Sequence, residues 1–305
     1  MTALLVSHRF RSVYGDAFLA DAQARGVDLE LLVLPEDPEA RLADDLAARA
    51  EVAYFSSDVF PRFGKAFFSA TRKAPGLKWL HVFNAGVDHP VFASILERGV
   101  RLTTSSGTAS TPIAQTAIAG MLYLQRDLAG KTLLVYGFGK IGAEIARLAR
   151  LLDMRVIGMR RNAQPHEHAD EMHMPAQLHA MLARSDWLAL ACPLTKETRG
   201  VIDAAALAAM PKGARVLNIS RGEVIDEPAL IDALASGHLG GAYLDVFASE
   251  PLPAESPLWD MPGVLVTAHD ASTSDAYDPR INALFLDNLA RWRRHEPLLN
   301  EVTQL

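Results

Sequence analysis

Three residues far apart in this 305-residue chain carry groups suited to gripping a small anion and moving a proton: Arg221, Glu250 and His269. Arg221 stands in Asn218-Ile219-Ser220-Arg221-Gly222-Glu223-Val224-Ile225-Asp226, entered directly from the apolar pair Val216-Leu217. A guanidinium at the C-terminal edge of a parallel strand sits where open sheets bind ligands. It can clamp a carboxylate at two points and polarise a neighbouring carbonyl. Glu250 closes the strand-like Ala242-Tyr243-Leu244-Asp245-Val246-Phe247 segment, and Pro251 follows at once. His269 stands at the mouth of Val264-Leu265-Val266-Thr267. Imidazole titrates near neutrality, so it can take a hydroxyl proton or return it. A buried carboxylate beside it would orient the ring and raise its pKa. Taken singly, the arginine reads equally as a surface ion pair and the histidine as a structural residue. At three strand mouths together they point to alcohol–carbonyl chemistry, which needs a carrier for the hydride.

That carrier has a cradle in the sequence. Gly137-Phe138-Gly139-Lys140-Ile141-Gly142 follows the apolar run Leu133-Leu134-Val135-Tyr136. It opens a helix with Ile141, Ile145, Leu148, Ala149 and Leu152 on one side. Glycines let the backbone turn and approach a pyrophosphate, and the helix N-terminus offers N–H groups and partial positive charge. NAD is commonly held by an acidic residue about 20 residues further on. Here the next strand ends Gly158-Met159-Arg160-Arg161-Asn162, so Arg160 lies 160 − 142 = 18 residues past the last glycine. A guanidinium cannot accept a hydrogen bond from a ribose hydroxyl; it can pair with the 2′-phosphate of NADP. NADP is therefore favoured over NAD, with a solvated arginine pair as the plain alternative.

The elements that must position these groups alternate. Strands are expected at Ala3–Ser7, Leu29–Leu34, Val52–Phe55, Trp79–Phe83 and Arg101–Thr103, with helix-like pieces at Ala17–Arg25 and Glu39–Ala50. Ser105 to Thr111 reads as a linker, and Ile113 to Leu128 as a long helix with Pro112 at its first turn. A second alternating series follows, with strands at Thr132–Tyr136, Met154–Met159, Trp187–Ala191, Arg215–Ile219, Ala242–Val246 and Val264–Thr267, and a short one near Met172. The last helix, Ala276 to His295, is placed back on the first domain. The expected architecture is α/β with two lobes, each a mostly parallel sheet flanked by helices: a flavodoxin-like substrate lobe at 1–101 and 277–305, and a Rossmann cofactor lobe at 102–276, with a cleft between them.

Composition bounds the function classes. Half of the residues are hydrophobic and 22% are charged, as in a globular protein with a large core. A net charge of −6 favours neither nucleic acid nor an anionic membrane. One cysteine, Cys192, excludes an internal disulfide and fits a reducing compartment. No signal-like or membrane-spanning apolar run is present, so the cytoplasm is the expected location. His166, His168 and His173 lie close together, but their spacing matches no zinc pattern, and no metal is expected.

Taken in order, Gly137-Phe138-Gly139-Lys140-Ile141-Gly142, Pro193-Leu194-Thr195-Lys196-Glu197-Thr198-Arg199-Gly200, Asn218-Ile219-Ser220-Arg221-Gly222, Leu244-Asp245-Val246-Phe247, Glu250-Pro251-Leu252 and Thr267-Ala268-His269 resemble the D-isomer-specific 2-hydroxyacid dehydrogenase family. The resemblance covers roughly Thr132 to Ser272; before it, Asn84-Ala85-Gly86-Val87-Asp88 is the clearest similarity. It implies an oxidoreductase acting on a small 2-oxo or D-2-hydroxy acid of the glyoxylate or hydroxypyruvate type. Arg221 would bind the substrate carboxylate and carbonyl oxygen, and His269, paired with Glu250, would be the acid/base. Asp245 would lie near the nicotinamide and influence the pH dependence. Backbone around Ala85, Gly86 and Val87 would bind the substrate carboxylate, brought onto it by lobe closure. Cys192 and Pro193 would flank the nicotinamide ribose, with Thr198 closing that wall. A homodimer through the cofactor lobe is implied too. A dinucleotide-sensing, corepressor-like interaction protein is the rival reading.

Three positions depart from the family pattern. Asp270 follows the histidine where an apolar residue is usual, Gln115 replaces a common glutamate, and Cys192 stands where a small or apolar residue is usual. Cys192 reads as a buried neighbour of the cofactor and Asp270 as a residue pointing to solvent.

Overall fold

The computed structural model describes residues 1–87 and 89–303. Asp88, grouped above with Ala85–Val87, lies outside the described residues. Two compact units form, Met1–Thr108 with Asp275–Leu305, and Ala109–Ser274.

The first unit is built from β1 (Thr2–Val6), α1 (His8–Ala24), β2 (Leu29–Val33), α2 (Asp44–Ala47), β3 (Val52–Phe55), α3 (Gly64–Arg72), β4 (Trp79–Val82), α4 (Pro90–Glu97) and β5 (Arg101–Thr104). Its parallel sheet has the order β2-β1-β3-β4-β5, the flavodoxin-like arrangement. Strands buried on both faces read as near-continuous apolar runs. Val52-Ala53-Tyr54-Phe55 and Trp79-Leu80-His81-Val82 are buried at every position, with the polar His81 hydrogen-bonded to Thr103 and Ser105.

The second unit contains α5 (Ser110–Leu124), β6 (Thr132–Tyr136), α6 (Lys140–Arg150), β7 (Arg155–Met159), β8 (Glu171–His173), α7 (Leu178–Leu182), β9 (Trp187–Leu190), α8 (Ala204–Ala209), β10 (Arg215–Asn218), α9 (Glu227–Ala235), β11 (Gly241–Leu244) and β12 (Val264–Val266). Its parallel sheet runs β12-β11-β10-β9-β6-β7-β8. The strand order reverses between β6 and β9, the switch point at which open α/β sheets bind nucleotides. Chain order then returns to the first unit with α10 (Tyr277–Arg293). There Phe285 stacks on Tyr54 with ring centroids 4.3 Å apart and lies 5.2 Å from Trp79.

The units part at Thr108/Ala109 and Ser274/Asp275, against boundaries of 101/102 and 276/277 anticipated from sequence. Residues 102–106 are tied to the first unit. Thr103 bridges Glu301, and the Asn300 side chain donates to the carbonyls of Thr104 and Ser106 at 3.2 and 2.8 Å. Two helical expectations change. α1 begins at His8 because Ser7, read as strand, caps it by accepting from Phe10 N at 2.9 Å. Of Glu39–Ala50 only Asp44–Ala47 is helical, since Asp37 draws the preceding chain into a turn through Glu39 N at 2.9 Å and Ala40 N at 3.1 Å. No helix among the described residues is long and apolar enough to cross a membrane.

Candidate active site

The glycine turn sits at the switch point, directly after β6. Gly137 has φ +102°, and a Cβ there would lie 2.4 Å from Cys192 N, so only glycine brings the turn against the end of β9. Gly142 lets α6 close on β6: a Cβ would meet the Gly137 carbonyl oxygen at 2.3 Å. Gly139 differs from both. It precedes α6 as its N-cap without a side-chain cap bond, and a Cβ there meets nothing within 4 Å. Backbone N–H groups at a helix N-terminus facing open space fit the pyrophosphate of a dinucleotide. Phe138 is buried against the edge of the His166 ring, with centroids 5.0 Å apart.

Arg160 follows the end of β7. Its guanidinium donates to the carbonyls of Asn162 and Gln164 at 2.7 and 3.1 Å, shaping its own loop, and the adjacent Arg161 is exposed. Cys192 is 6% exposed, and burial pushes its thiol up to about 11, so it stays protonated near neutrality. The Pro193 carbonyl accepts from Thr198 Oγ1 at 2.7 Å, and Thr198 Oγ1 accepts from Thr195 N at 2.8 Å. Thr198 thereby closes the 193–198 loop.

Strands β10, β11 and β12 are neighbours in register, Asn218 beside Leu244 and Leu244 beside Val266. Arg221, Asp245 and His269 therefore leave the sheet from adjacent C-terminal ends. The Arg221 turn is braced by Asn218, 1% exposed, whose Oδ1 accepts from Ser220 N and Oγ at 3.0 and 2.8 Å. Asn218 Nδ2 donates to the Arg221 carbonyl at 3.0 Å, and Arg221 Nη1 donates to the Ser220 carbonyl at 2.7 Å. Gly222 ties this turn to the next one: a Cβ there would lie 1.8 Å from the Phe247 carbonyl carbon. That second turn carries Glu250. Phe247 N donates to Glu250 Oε1 at 3.1 Å, and Glu250 Oε2 lies 2.8 Å from His269 Nδ1. A carboxylate only accepts, so Nδ1 carries the hydrogen and Nε2 is the nitrogen able to exchange a proton with a substrate.

His269 has φ +54°, a left-handed conformation uncommon for a residue with a Cβ and concentrated at functional sites. Asp245 holds the loop in this state. Its Oδ1 accepts from Thr267 Oγ1 at 2.5 Å and Asp270 N at 3.1 Å, and its Oδ2 from Ala271 N at 3.2 Å. The expected buried carboxylate beside the imidazole needs correcting. Glu250 is 37% exposed, and the buried acid is Asp245 at 2%. The Asp270 side chain is exposed. Ala85, Gly86 and Val87 follow β4 in the first unit, where Asn84 Nδ2 donates to the Gly86 carbonyl. Of the three neighbouring histidines, His166 and His168 rest against each other and His173 pairs with Glu171 at 2.9 Å. Asn218 and Thr267 act in this site although sequence reasoning gave them no role. The one available signal was their place at strand ends beside the charged residues.

The D-isomer specific 2-hydroxyacid dehydrogenase, NAD binding domain, matches residues 107–271. Glyoxylate/hydroxypyruvate reductase B of Pectobacterium carotovorum is 31% identical to the chain, covering 82% of it and 91% of the relative. A D-isomer specific 2-hydroxyacid dehydrogenase from Xanthobacter autotrophicus Py2, solved with NADPH and MES, is 30% identical with a TM-score of 0.80, over 99% of this chain and 97% of that one. A glyoxylate reductase from Paecilomyes thermophila is 26% identical with a TM-score of 0.80, over 99% and 98%. The glycine turn at the sheet's reversal and the strand ends carrying arginine and the paired histidine agree with these matches: the chain belongs to the D-isomer-specific 2-hydroxyacid dehydrogenase family and is an oxidoreductase using a nicotinamide dinucleotide.

Proposed function

We propose that the enzyme interconverts a small 2-oxo acid and the D-2-hydroxy acid, of the glyoxylate or hydroxypyruvate type, with NADP(H) favoured over NAD(H). The observation that carries this reading is the His269–Glu250 pair at 2.8 Å, presented beside a turn bearing Arg221. The nicotinamide, when bound, exchanges hydride with the substrate C2. The protein does the rest. Arg221 holds the carboxylate and draws charge onto the carbonyl oxygen as it develops. His269 Nε2 delivers a proton to that oxygen in reduction and removes it in oxidation. Glu250 keeps the ring oriented and stabilises the imidazolium. Backbone at Ala85, Gly86 and Val87 takes the substrate carboxylate. Cys192, Pro193 and Thr198 line the nicotinamide ribose, and Gly137–Gly142 take the pyrophosphate.

NADP is favoured because Arg160 and Arg161 stand at the end of β7, and because the Xanthobacter relative was solved with NADPH. Arg160 holds carbonyl oxygens of its own loop, and a phosphate is a stronger acceptor for the same donors. The reading includes a cytoplasmic homodimer formed through the cofactor unit, where α5 exposes 73% of Tyr123 and 39% of Leu122; sedimentation velocity giving only monomer would refute it. Initial rates for a panel of short 2-oxo acids with NADPH and NADH test the whole. Turnover is expected with NADPH the better partner. Dinucleotide binding without any turnover would overturn the reading in favour of a cofactor-sensing protein.

A further inference from the structure

The buried carboxylate behind the histidine does not stand alone. Thr267 has a single hydroxyl hydrogen and contacts two groups, Asp245 Oδ1 at 2.5 Å and Tyr243 Oη at 3.0 Å. The carboxylate can only accept, so Thr267 donates to Asp245. Its oxygen must then accept from Tyr243, whose phenol burial holds at about 12, well into its protonated range. The direction of the chain is fixed: Tyr243 donates to Thr267, and Thr267 donates to Asp245. Asp245 in turn receives the two N–H groups that follow His269 in sequence, at Asp270 and Ala271.

The far end of the chain is anchored by packing. Tyr243 lies on β11, is 1% exposed, and lays its ring across α5 at Gly120. A Cβ on Gly120 would stand 2.4 Å from Tyr243 Cδ1, so the helix is notched where the ring rests. Burial and contact thus fix the ring, the ring fixes the phenol oxygen, and two hydrogen bonds carry that constraint to the carboxylate.

We infer that Tyr243 and Thr267 are positioning residues for the acid/base, setting the left-handed backbone at His269 through Asp245. Neither touches the substrate or cofactor in this assignment. His269 must present Nε2 while Glu250 holds Nδ1, and a loop free to leave φ +54° would swing the ring off that line. Side chains that hold a reacting group to within a fraction of an ångström act on turnover rather than on cofactor affinity.

The kinetic arm of the test rests on the reductase reading above; the exchange arm does not. Thr267→Val removes the donor to Asp245 at nearly constant volume. The expected result is a kcat about ten- to a hundredfold lower on the best 2-oxo acid, with KM for NADPH within about twofold. Thr267→Ser should restore it, since the hydroxyl returns. Tyr243→Phe should cost about two- to tenfold, the worth of one neutral hydrogen bond. It should cost nothing further in the Thr267→Val background, because Tyr243 acts only through Thr267. In the protein without dinucleotide, amide hydrogen exchange at Asp270 and Ala271 should quicken in Thr267→Val while exchange along β11 is unchanged. If the parent turns over 2-oxo acids and both single variants match it in kcat and in exchange, the positioning role is wrong. If the parent has no turnover but exchange responds as stated, the hold of Tyr243 and Thr267 on the His269 backbone stands and the reductase reading falls. Should Thr267→Val not fold, the more conservative Tyr243→Phe decides by the same two readouts.

Discussion

Replacing Gly139 by alanine should separate the needs of the fold from those of the cofactor. Gly139 has φ −92° and ψ −158°, open to any L-residue, and the new methyl would meet no heavy atom within 4 Å. The folded protein therefore loses nothing, while the unfolded chain loses freedom, a gain in stability of about 0.4–1 kcal/mol. For a unit of this size that corresponds to a Tm higher by roughly 1–4 °C. On the proposed seating of the dinucleotide, the methyl occupies the space through which the pyrophosphate would reach the N–H groups at the start of α6. Losing one charge-assisted hydrogen bond there costs about 1.5–3 kcal/mol, hence roughly 10- to 150-fold in Kd. Fluorescence titration with NADPH and thermal melting of the cofactor-free protein measure both quantities. Gly137→Ala supplies the contrast. With φ +102° and backbone of Cys192 2.4 Å from its Cβ, it should lower Tm before any cofactor is added. A Gly139→Ala protein that binds NADPH with the parent Kd would refute a dinucleotide seated on this turn.

Arg221→Ala should cut kcat/KM for the 2-oxo acid by at least about a hundredfold with NADPH affinity nearly intact; unchanged turnover would remove Arg221 from the mechanism. Arg160→Asp should lower the ratio of NADPH to NADH efficiency, and a ratio that does not move would refute the 2′-phosphate assignment. Gly222→Ala, with a Cβ 1.8 Å from the Phe247 carbonyl carbon, should push the Arg221 and Glu250 turns apart and lose most turnover while NADPH still binds, as steady-state kinetics and titration would show. Burial holds the His81 imidazole down to about 3, whereas an unfolded histidine titrates near 6.5. Between those values the unfolded chain binds more protons, so stability falls as pH falls, by up to about 1.4 kcal/mol per pH unit from this group. His81→Asn should flatten that share of the slope in denaturant titrations run from pH 7 to pH 4.

Both sheets were legible because strands covered on both faces are mostly apolar. Val52–Phe55 and Thr132–Tyr136 coincide with their expected ranges, and most others end within a residue or two. The helices were harder. Ser7 reads as strand until its hydroxyl is seen capping α1, and the proline-bounded stretch before Asp44 carries helical spacing that a local Asp37 turn overrides. For α4, Pro90 at the first turn behind His89 is a visible start signal. In the site, Arg221, Glu250 and His269 announced themselves by charge at strand ends. The roles of Asn218, Thr267 and Tyr243 did not, because each depends on partners brought near by sheet register. Which carboxylate was buried was misjudged for the same reason: adjacency in sequence to a proline turn says nothing about solvent access.

The packing of Phe285 against Tyr54 and Trp79 has a bearing on synthesis. Those two aromatic rings leave the ribosome some two hundred residues before the helix that seals them, while the continuous stretch from 109 to 274 is complete in between. The part of the protein begun first is thus finished last, and until α10 emerges its hydrophobic seam lies open to chaperones. A nascent chain stalled once residue 275 has cleared the exit tunnel, with α10 still inside it, should bind a dinucleotide while its N-terminal portion remains sensitive to protease.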